Sequence, residues 1–338
     1  MPSTIGWDIG GAHLKAARVE NGRVVAGVQA ATPLWQGLDT LHAAFDDLAR
    51  QLGPAEAHGV TMTGELCDAF ASRREGVLGL ATIAGGHLGA PRVYAGAAGF
   101  VAVSAVADHV GDVASANWRA SAEAAALYAP DALFVDIGST TTDLIPIVAG
   151  AVAAVGEDDA GRLAAGELVY TGLTRSFVMA MAARAPFAGQ WTPLMNEYFA
   201  AAADVRRVLG DLPEGADLMA TADGRDKSPA ASRARLARMI GREANDASEA
   251  AWEALAAWFA EAQIRDITDA AHLRLSRGDV ARAAPIIAAG IGEAVAREVA
   301  RRLGRASVGF ADLIGAGPAA SHCAPAAAVA LLLQRSVI

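Results

Sequence analysis

Two stretches, WDIGGAHLK at residues 7–15 and LFVDIGSTTTDLIPIVAGAV at residues 133–152, decide the fold because they follow one strand–turn–strand plan. In each, an apolar strand ends in Asp-Ile-Gly, a turn follows, and a second strand leads to a glycine turn. One offset of 128 residues pairs Asp8 with Asp136, Ile9 with Ile137, Gly10 with Gly138, Gly22 with Gly150, and Val24 with Val152. Two hairpins could match by chance, but agreement in register favours a duplicated domain.

Composition narrows the class of protein. The chain has 338 residues, is 53% hydrophobic and carries a net charge of −9, which predicts two domains and argues against binding to nucleic acid or anionic membranes. The two cysteines have no ligand or disulfide spacing. Neither a secretory signal nor an uninterrupted apolar run of membrane-spanning length is visible, so we expect a cytoplasmic protein without a membrane partner. A homo-oligomer is left open.

The order of patterns along the chain is that of an α/β protein. Helical patterns fall at about 38–52, 66–75 and 119–129, and strand patterns at 58–62 and 100–103. From about 190 to 275 the chain reads as a helical insertion with a polar loop at 221–229. We expect a first domain over 1–125, a second over 126–320, and a C-terminal helix over 321–338 that packs back on the first domain.

The paired turns predict a phosphate and metal site. A carboxylate at a strand end binds Mg²⁺, and neighbouring glycines let backbone N–H groups approach phosphate oxygens. The metal ligands are therefore Asp8 and Asp136. The predicted phosphate-binding residues of the two turns are Gly10, Gly11, Ala12, His13, Gly138, Ser139, Thr140 and Thr141.

Two further residues beside the turns have two interpretations each. Lys15 either offsets charge on a leaving group or is a solvated strand residue. Asp143 either pairs with Lys15 or orients a metal-bound water. His13, on the same polar strand face as Lys15, has the solvated alternative as well.

These residues resemble a known superfamily. The two hairpins look like the phosphate-1 and phosphate-2 motifs of the acetate and sugar kinase/Hsc70/actin fold, and IIAAGIG at 286–292 is similar to its adenosine motif. The resemblance implies an α/β, two-domain actin-like architecture of duplicated ribonuclease-H-like domains with a helical insertion. It also implies a nucleotide-like pocket at Gly290 and Gly292.

DIGSTTTD at 136–143 resembles the hydantoinase A/oxoprolinase branch, with Ser139 where that family has a second glycine. WDIGGAHLK, TMTGEL at 61–66, SANW at 115–118, GELVYTG at 166–172 and TADGR at 221–225 resemble a subgroup linked to tetrahydromethanopterin-dependent C1 transfer. After GELVYTG, Arg175-Ser176-Phe177 departs from the Arg-Thr-Pro of that subgroup, which puts a substrate contact of this loop in doubt.

The resemblance implies a transferase of methanofuran or methylofuran biosynthesis. A phenol oxygen of a glutamyl-tyramine or tyrosine-type partner would displace diphosphate from an aminomethyl-furanmethyl diphosphate and form an aryl ether. Mg²⁺ is the expected cofactor, and ATP use is left open. The catalytic candidates are Asp8, Lys15, Glu65, Asp136 and Asp143, with Glu65 as a general base, an orienter of metal-bound water, or simply a helix-start carboxylate.

Substrate-binding candidates lie in the remaining motifs, and each has a plain structural alternative. Asn117 and Trp118 either contact a ring or cap a helix and fill the core. Glu167, Tyr170 and Arg175 either line the cleft or are packing and surface residues. Asp223 and Arg225 either close over substrate or form a solvated turn.

Two other functions stay open at this stage. One is an ATP-dependent small-molecule kinase or hydantoinase/oxoprolinase-like amidohydrolase, and the other is a non-catalytic nucleotide-sensing scaffold. Release of ADP, rather than of diphosphate, would distinguish the first from the ether-forming transferase.

Overall fold

The computed structural model describes residues 3–317 and 319–336. The elements of the first part of the chain are β1 (Thr4–Ile9), β2 (His13–Glu20), β3 (Arg23–Ala31), α1 (Asp39–Leu52), β4 (Ala57–Met62), α2 (Arg73–Leu88), β5 (Arg92–Tyr94), β6 (Phe100–Ala102), α3 (Val110–Val113) and α4 (Asn117–Ala126). The strands form one sheet in the order β3-β2-β1-β4-β5-β6.

The rest of the chain builds a second sheet and an insertion. Its elements are β7 (Ala132–Ile137), β8 (Thr142–Val148), β9 (Ala151–Val152), α5 (Asp159–Ala165), β10 (Leu168–Val169), α6 (Val178–Met181), β11 (Arg184–Phe187), β12 (Gln190–Pro193), α7 (Ala202–Leu209), α8 (Pro229–Met239), α9 (Glu249–Leu275), β13 (Ile286–Ala289), α10 (Glu293–Arg302), β14 (Ser307–Gly309), α11 (Phe310–Leu313), α12 (Ala319–His322) and α13 (Ala324–Ser336). The second sheet has the order β10-β8-β7-β13-β14, with β9 paired to β8.

The two hairpins that carry the repeat have the same backbone geometry. β1 pairs antiparallel with β2, and β7 pairs antiparallel with β8. The turns that end β2 and β8 place Asn21-Gly22 and Ala149-Gly150 at positive φ, with values of 51°, 75°, 51° and 79°. Such turns suit the right-handed twist of paired strands, which explains why both halves have glycine at the second position.

Helices cover both faces of each sheet, which explains why β1 and β7 are buried along their whole length. Helices α1 and α2 cover the outer face of the first sheet, and α9 and α10 cover the outer face of the second. Helix α1 is amphipathic, as a helix that covers one face of a sheet must be, because its apolar residues recur three and four positions apart. Helices α4 and α13 share the cluster between the sheets.

The C-terminal helix α13 packs on β1, β2 and β4 of the first sheet and on α4. Gly6 makes the close approach feasible, since a Cβ there would lie 1.9 Å from the Ala326 carbonyl oxygen. Helix α4 contacts β7, β8 and β9. A domain division at residue 125 would therefore cut a helix that belongs with the second sheet. Its alanine-rich sequence did not indicate which sheet it covers.

The insertion has its own apolar cluster, formed mainly by α7, α8 and α9. It also contains the antiparallel hairpin β11–β12, which the helical pattern did not predict. The predicted helix at 66–75 is wrong as well. Residues 66–72 form turns, and α2 begins at Arg73 after Ser72, whose hydroxyl accepts a hydrogen bond from the Glu75 N–H. Among the described residues, no helix has the length and apolar character that crossing a bilayer requires.

Candidate functional site

A cavity of about 380 Å³ lies where the two Asp-Ile-Gly turns meet, and we call it the inter-domain cavity. Both halves of the chain line it. Among the residues predicted from the sequence, its walls include Asp8, Gly10, Gly11, Ala12, His13, Lys15, Asn117, Asp136, Gly138, Ser139, Thr140, Thr141, Asp143, Tyr170 and Arg175. The structure therefore brings both predicted phosphate-binding turns to one place.

The two turns are closed by matching hydrogen bonds. The Gly10 N–H donates to the His13 carbonyl at 2.9 Å, and the Gly138 N–H donates to the Thr141 carbonyl at 2.9 Å. Each turn thus presents its remaining backbone and side-chain groups to the cavity. Repeated N–H groups in a tight turn form a concave surface suited to anions.

Asp8 and Asp136 are the buried acids of the site, with 5% and 7% of their surface exposed. Burial raises the pKa of Asp8 to about 6, although the nearby charge of Lys15 opposes the shift. Burial and the neighbouring Asp143 raise the pKa of Asp136 to about 7. Both carboxyl groups therefore lose their protons close to neutral pH, and a cation in the cavity would favour that loss.

Asp143 pairs with Arg162 and not with Lys15. The Arg162 guanidinium donates to Asp143 Oδ1 and lies 4.2 Å above the ring of Trp118. Burial raises the pKa of Asp143, while the charge of Arg162 lowers it. Lys15 lines the cavity and forms no ion pair with any residue in the described part of the chain. Lys15 is therefore a cation available to a ligand anion in this cavity.

Trp118 does not line the inter-domain cavity. Its side chain is 7% exposed and lies beneath Arg162 in the core between the sheets. Asn117, one residue earlier, does reach the cavity, and its nearby side chain lowers the pKa of the Asp8 carboxyl. Trp118 therefore takes the core position given as its alternative, because helix geometry turns adjacent residues to different faces.

His13 and Arg175 bring different chemistry to the walls. Burial, with the charges of Lys15 and Arg175, lowers the pKa of His13 to about 3, so this imidazole is neutral at physiological pH. Arg175 Nη1 donates to Thr140 Oγ1 at 3.1 Å, and burial lowers the pKa of Arg175. Arg175 thus fixes the second phosphate turn from the side.

Glu65 lies behind the cavity wall. It is 1% exposed, its Oε1 accepts from the Ser115 hydroxyl at 2.8 Å, and burial raises its pKa. Ser115 and Asp159 line the cavity, and Asp159 Oδ2 lies 3.2 Å from the same hydroxyl, whose single proton can go to either acid. Arg73 pairs with Asp159 at 2.8 Å. Glu65 therefore reaches a ligand only through Ser115.

Six polar lining residues are not among the residues predicted from the sequence, namely Thr63, Ser115, Asp159, Arg162, Ser321 and His322. Asp158 caps α5 by accepting from the Gly161 N–H at 2.8 Å, and this cap sets the position of Asp159 and Arg162. An Asp-Asp pair before a short helix is a capping signal, but nothing in the sequence says that the helix faces the site.

Glu167 has a structural role. It is fully buried, accepts hydrogen bonds from the Val155 and Gly156 N–H groups, and pairs with the buried Arg274 at 3.3 Å. Glu167 thus does not line the inter-domain cavity, in agreement with its packing alternative. A carboxylate that accepts from two backbone N–H groups and lies beside a guanidinium in the interior is held there by the cost of leaving those groups unpaired.

Asp223 and Arg225 also lie outside the inter-domain cavity. Asp223 pairs with Arg235 at 3.0 Å and with Arg238 at 3.1 Å, and it accepts from the Arg225 N–H at 3.2 Å. The TADGR segment is therefore tied to α8 by charge pairs, and the predicted closure of these two side chains over substrate is not seen.

Gly290 and Gly292 pack against Asp136 and Ile137 at the end of β7. Gly290 has a φ of +82°, and a Cβ there would lie 2.3 Å from Asp136 Oδ1. The Gly292 N–H donates to the Ile137 carbonyl at 2.9 Å. Neither glycine lines the inter-domain cavity, and both allow β13 and α10 to pack closely against the end of β7.

The acids fit a hard divalent cation. Asp8 Oδ1 is buried and has no hydrogen-bond partner among the described residues, and Asp136 lines the same cavity. In the described part of the chain, no group of three or more His, Cys, Asp or Glu side chains surrounds one point. Mg²⁺ commonly takes one or two carboxylates and completes its shell with water and substrate phosphate, so this donor set suits it.

Solved structures with the same architecture span nearly the whole chain. An acetone carboxylase structure aligns with a TM-score of 0.59 and 13% identity over 96% of this chain and 70% of that one. Component A of (R)-2-hydroxyglutaryl-CoA dehydratase from Acidaminococcus fermentans aligns with a TM-score of 0.50 and 11% identity over 99% and 100%. At these identities the likeness concerns the fold alone, and it confirms the two-domain actin-like class.

Sequence comparison narrows the class to a family. The Hydantoinase/oxoprolinase family model matches residues 56–336, and the chain belongs to this family. A curated relative from Methanocaldococcus jannaschii, "(4-{4-[2-(gamma-L-glutamylamino)ethyl]phenoxymethyl}furan-2-yl)methanamine synthase", is 31% identical over 239 residues, which is 70% of this chain and 71% of the relative. The family resemblance inferred from the DIGSTTTD motif is confirmed.

Proposed function

We propose that this protein is an ether-forming transferase of methanofuran-type cofactor assembly, as the name of its relative indicates. The phenol oxygen of one substrate forms a bond to the exocyclic carbon of a furanmethyl diphosphate. The bond from that carbon to the diphosphate oxygen breaks, the diphosphate leaves with the electron pair, and the phenol loses its proton. Small molecules are thus the substrates.

One observation supports this chemistry above others: two glycine turns and two buried acids face one cavity that also holds Lys15. A furanmethyl carbon tolerates developing positive charge, so the barrier depends mainly on stabilising the departing diphosphate. The backbone of the turns, the hydroxyls of Ser139 and Thr140, and Lys15 would bind and orient the diphosphate.

Mg²⁺ would be held by Asp8 and Asp136, and when bound it supplies positive charge to the diphosphate oxygens. Side chains of the protein have the other roles in binding the leaving group. The Asn117 side chain favours the ionised form of Asp8, and Asp143 is paired with Arg162. This arrangement leaves the Lys15 ammonium available to the leaving group.

Deprotonation of the phenol is the step for which the Glu65–Ser115–Asp159 group is suited. The Ser115 hydroxyl lies in the wall between the two carboxylates. Because burial raises the pKa of Glu65, its carboxylate is a stronger base than an exposed one. We assign Glu65 as a base that acts through Ser115.

Turnover with defined substrates tests the proposal. The protein is incubated with Mg²⁺, an aminomethyl-furanmethyl diphosphate and γ-glutamyltyramine, and the ether and diphosphate are quantified. We expect both products in equal amounts, and neither when the phenol is omitted. Absence of the ether with both substrates present would overturn the assignment.

The family name favours a second candidate, an ATP-dependent amidohydrolase. Incubation with Mg²⁺, ATP and a cyclic amide, in place of the two organic substrates, tests this candidate. Release of ADP with hydrolysis of a cyclic amide such as a hydantoin or 5-oxoproline would support this candidate and displace the ether synthase.

A further inference from the structure

A second cavity, of about 350 Å³, adjoins the inter-domain cavity, and we call it the aromatic cavity. Its walls include Trp35, Thr174, Phe177, Tyr198 and Met219. Arg175 lines both cavities and forms their common wall. A ligand in the aromatic cavity therefore meets a ligand in the inter-domain cavity at Arg175.

Backbone hydrogen bonds fix the aromatic cavity to the second phosphate turn. The N–H groups of Thr174 and Arg175 donate to the Ser139 carbonyl at 3.2 and 2.8 Å. The position of Arg175 relative to Ser139 and Thr140 is therefore set by the same turn that would bind diphosphate. A displacement of this turn would therefore also displace Arg175 at the edge of the aromatic cavity.

The aromatic cavity offers flat apolar surfaces. Phe177 and Tyr198 are in contact, with ring centroids 4.4 Å apart, yet 42% and 43% of their surfaces remain exposed. Trp35, from the first half of the chain, is 39% exposed and lies beneath the Arg175 guanidinium. Exposed aromatic faces in a concave site favour a planar ring as ligand.

The charges around the aromatic cavity are balanced except at Arg175. Arg207 pairs with Asp204 at 3.2 Å and with Asp217 at 2.5 Å. The Arg175 guanidinium lies 4.8 Å from the Trp35 ring centroid and donates to the neutral Thr140 hydroxyl. In the described part of the chain no carboxylate pairs with Arg175. The position facing both cavities thus carries an uncompensated positive charge.

We propose that the aromatic cavity binds a phenol, with its ring against Phe177 and Tyr198 and its oxygen at Arg175. This inference rests on the proposed function, in which the nucleophile is a phenol, and identifies where that nucleophile lies. A guanidinium beside the oxygen favours the phenolate, whose proton leaves to water or to the Ser115 group. The phenolate oxygen then faces the inter-domain cavity.

Binding of 4-nitrophenol tests the site without turnover, because its visible absorbance reports ionisation. In the intact protein with Mg²⁺ and pyrophosphate, we expect the pKa of the bound phenol to fall by about 1. Arg175→Gln should abolish this shift, and Arg175→Lys should retain most of it. Phe177→Ala should weaken binding about tenfold and leave the shift in place.

Arg184 provides the matched control, since its guanidinium lies 4.5 Å from the exposed Trp191 ring on the β11–β12 hairpin. Arg184→Gln should change neither affinity nor pKa. An unchanged pKa of bound 4-nitrophenol in Arg175→Gln, or binding unaffected by Phe177→Ala, would overturn the inference. A normal shift without any ether product in the turnover assay would overturn the proposed function and leave the phenol site standing.

Discussion

Asp8 and Asp136 line the same cavity although 128 residues separate them in the chain. Each is the second-last residue of a buried strand, and each strand pairs with the one that follows it. Duplication of one hairpin therefore creates a site with two acids and two glycine turns. Neither half of the chain contains this site alone.

Substitution of the paired acids should remove activity with the fold intact. We expect Asp8→Asn and Asp136→Asn each to lower kcat by about 10²-fold or more, because a preorganised electrostatic group is typically worth that much. Diphosphate release measures the rate, and circular dichroism checks folding. Asp47→Asn, on the exposed face of α1, serves as the control and should match the wild type. Near-normal rates in both acid variants would refute the metal and phosphate assignment.

Activity should rise with pH between about 6 and 7. Burial raises the pKa of Asp8 to about 6 and that of Asp136 to about 7, and both must lose their protons before they bind a cation. The pH dependence of kcat/KM at subsaturating Mg²⁺ measures this, and higher Mg²⁺ should move the rise to lower pH. A rate independent of pH from 5.5 to 8 would contradict the assignment of these acids.

The free energy of unfolding should fall as the pH rises, whereas the activity should rise. The pKa of Asp136 is raised above its unfolded value, so its contribution to stability is complete below about pH 4 and is lost as the pH rises through about 7. Asp136→Asn carries no such charge, so its free energy of unfolding should exceed that of the wild type by about 4 kcal/mol at pH 8 and by less than half of that at pH 5. Urea unfolding at the two pH values measures the difference. An equal difference at both would show that Asp136 does not titrate in this range.

Loss of Arg162 should leave the buried Asp143 without its partner. Their side chains are 3% and 14% exposed. We expect Arg162→Met to reduce the free energy of unfolding by about 3–5 kcal/mol, and the double variant with Asp143→Asn to recover a large part of it. Arg50→Met, at a pair whose arginine is 76% exposed, should cost less than about 1 kcal/mol. Additive losses in the double variant would show that the two residues do not interact.

Gly150 and Gly290 have similar positive φ values but different surroundings. Substituting each by alanine therefore distinguishes the cost of backbone strain from the cost of a steric clash. Gly150 has a φ of +79° with open space around it, whereas Gly290 has +82° and would direct a Cβ into Asp136. Gly150→Ala should cost about 1 kcal/mol, and Gly290→Ala about 3 kcal/mol or more together with weaker pyrophosphate binding. Equal losses of stability in the two variants would mean that Gly290 is needed only for its positive φ.

The fold was readable from the sequence because the decisive signals are local. Strand periodicity, Asp-Ile-Gly and the glycine turn repeat at one offset, and short hairpins form from neighbouring residues. The turn residues of the site were found for the same reason. The hairpin at 184–193 and the turns at 66–72 were missed, since their patterns are short and ambiguous between strand, turn and helix.

By itself, the sequence determined the duplicated hairpins, the residues of both turns and the family. Only the tertiary structure decided which polar residues share the cavity. It placed Arg162 on Asp143, buried Glu167 and Trp118, drew Ser115 and Asp159 into the wall, and set Arg175 between two cavities. The physical reason is that these partners are distant in the chain, and burial and charge pairing between them depend on how whole sheets and helices pack.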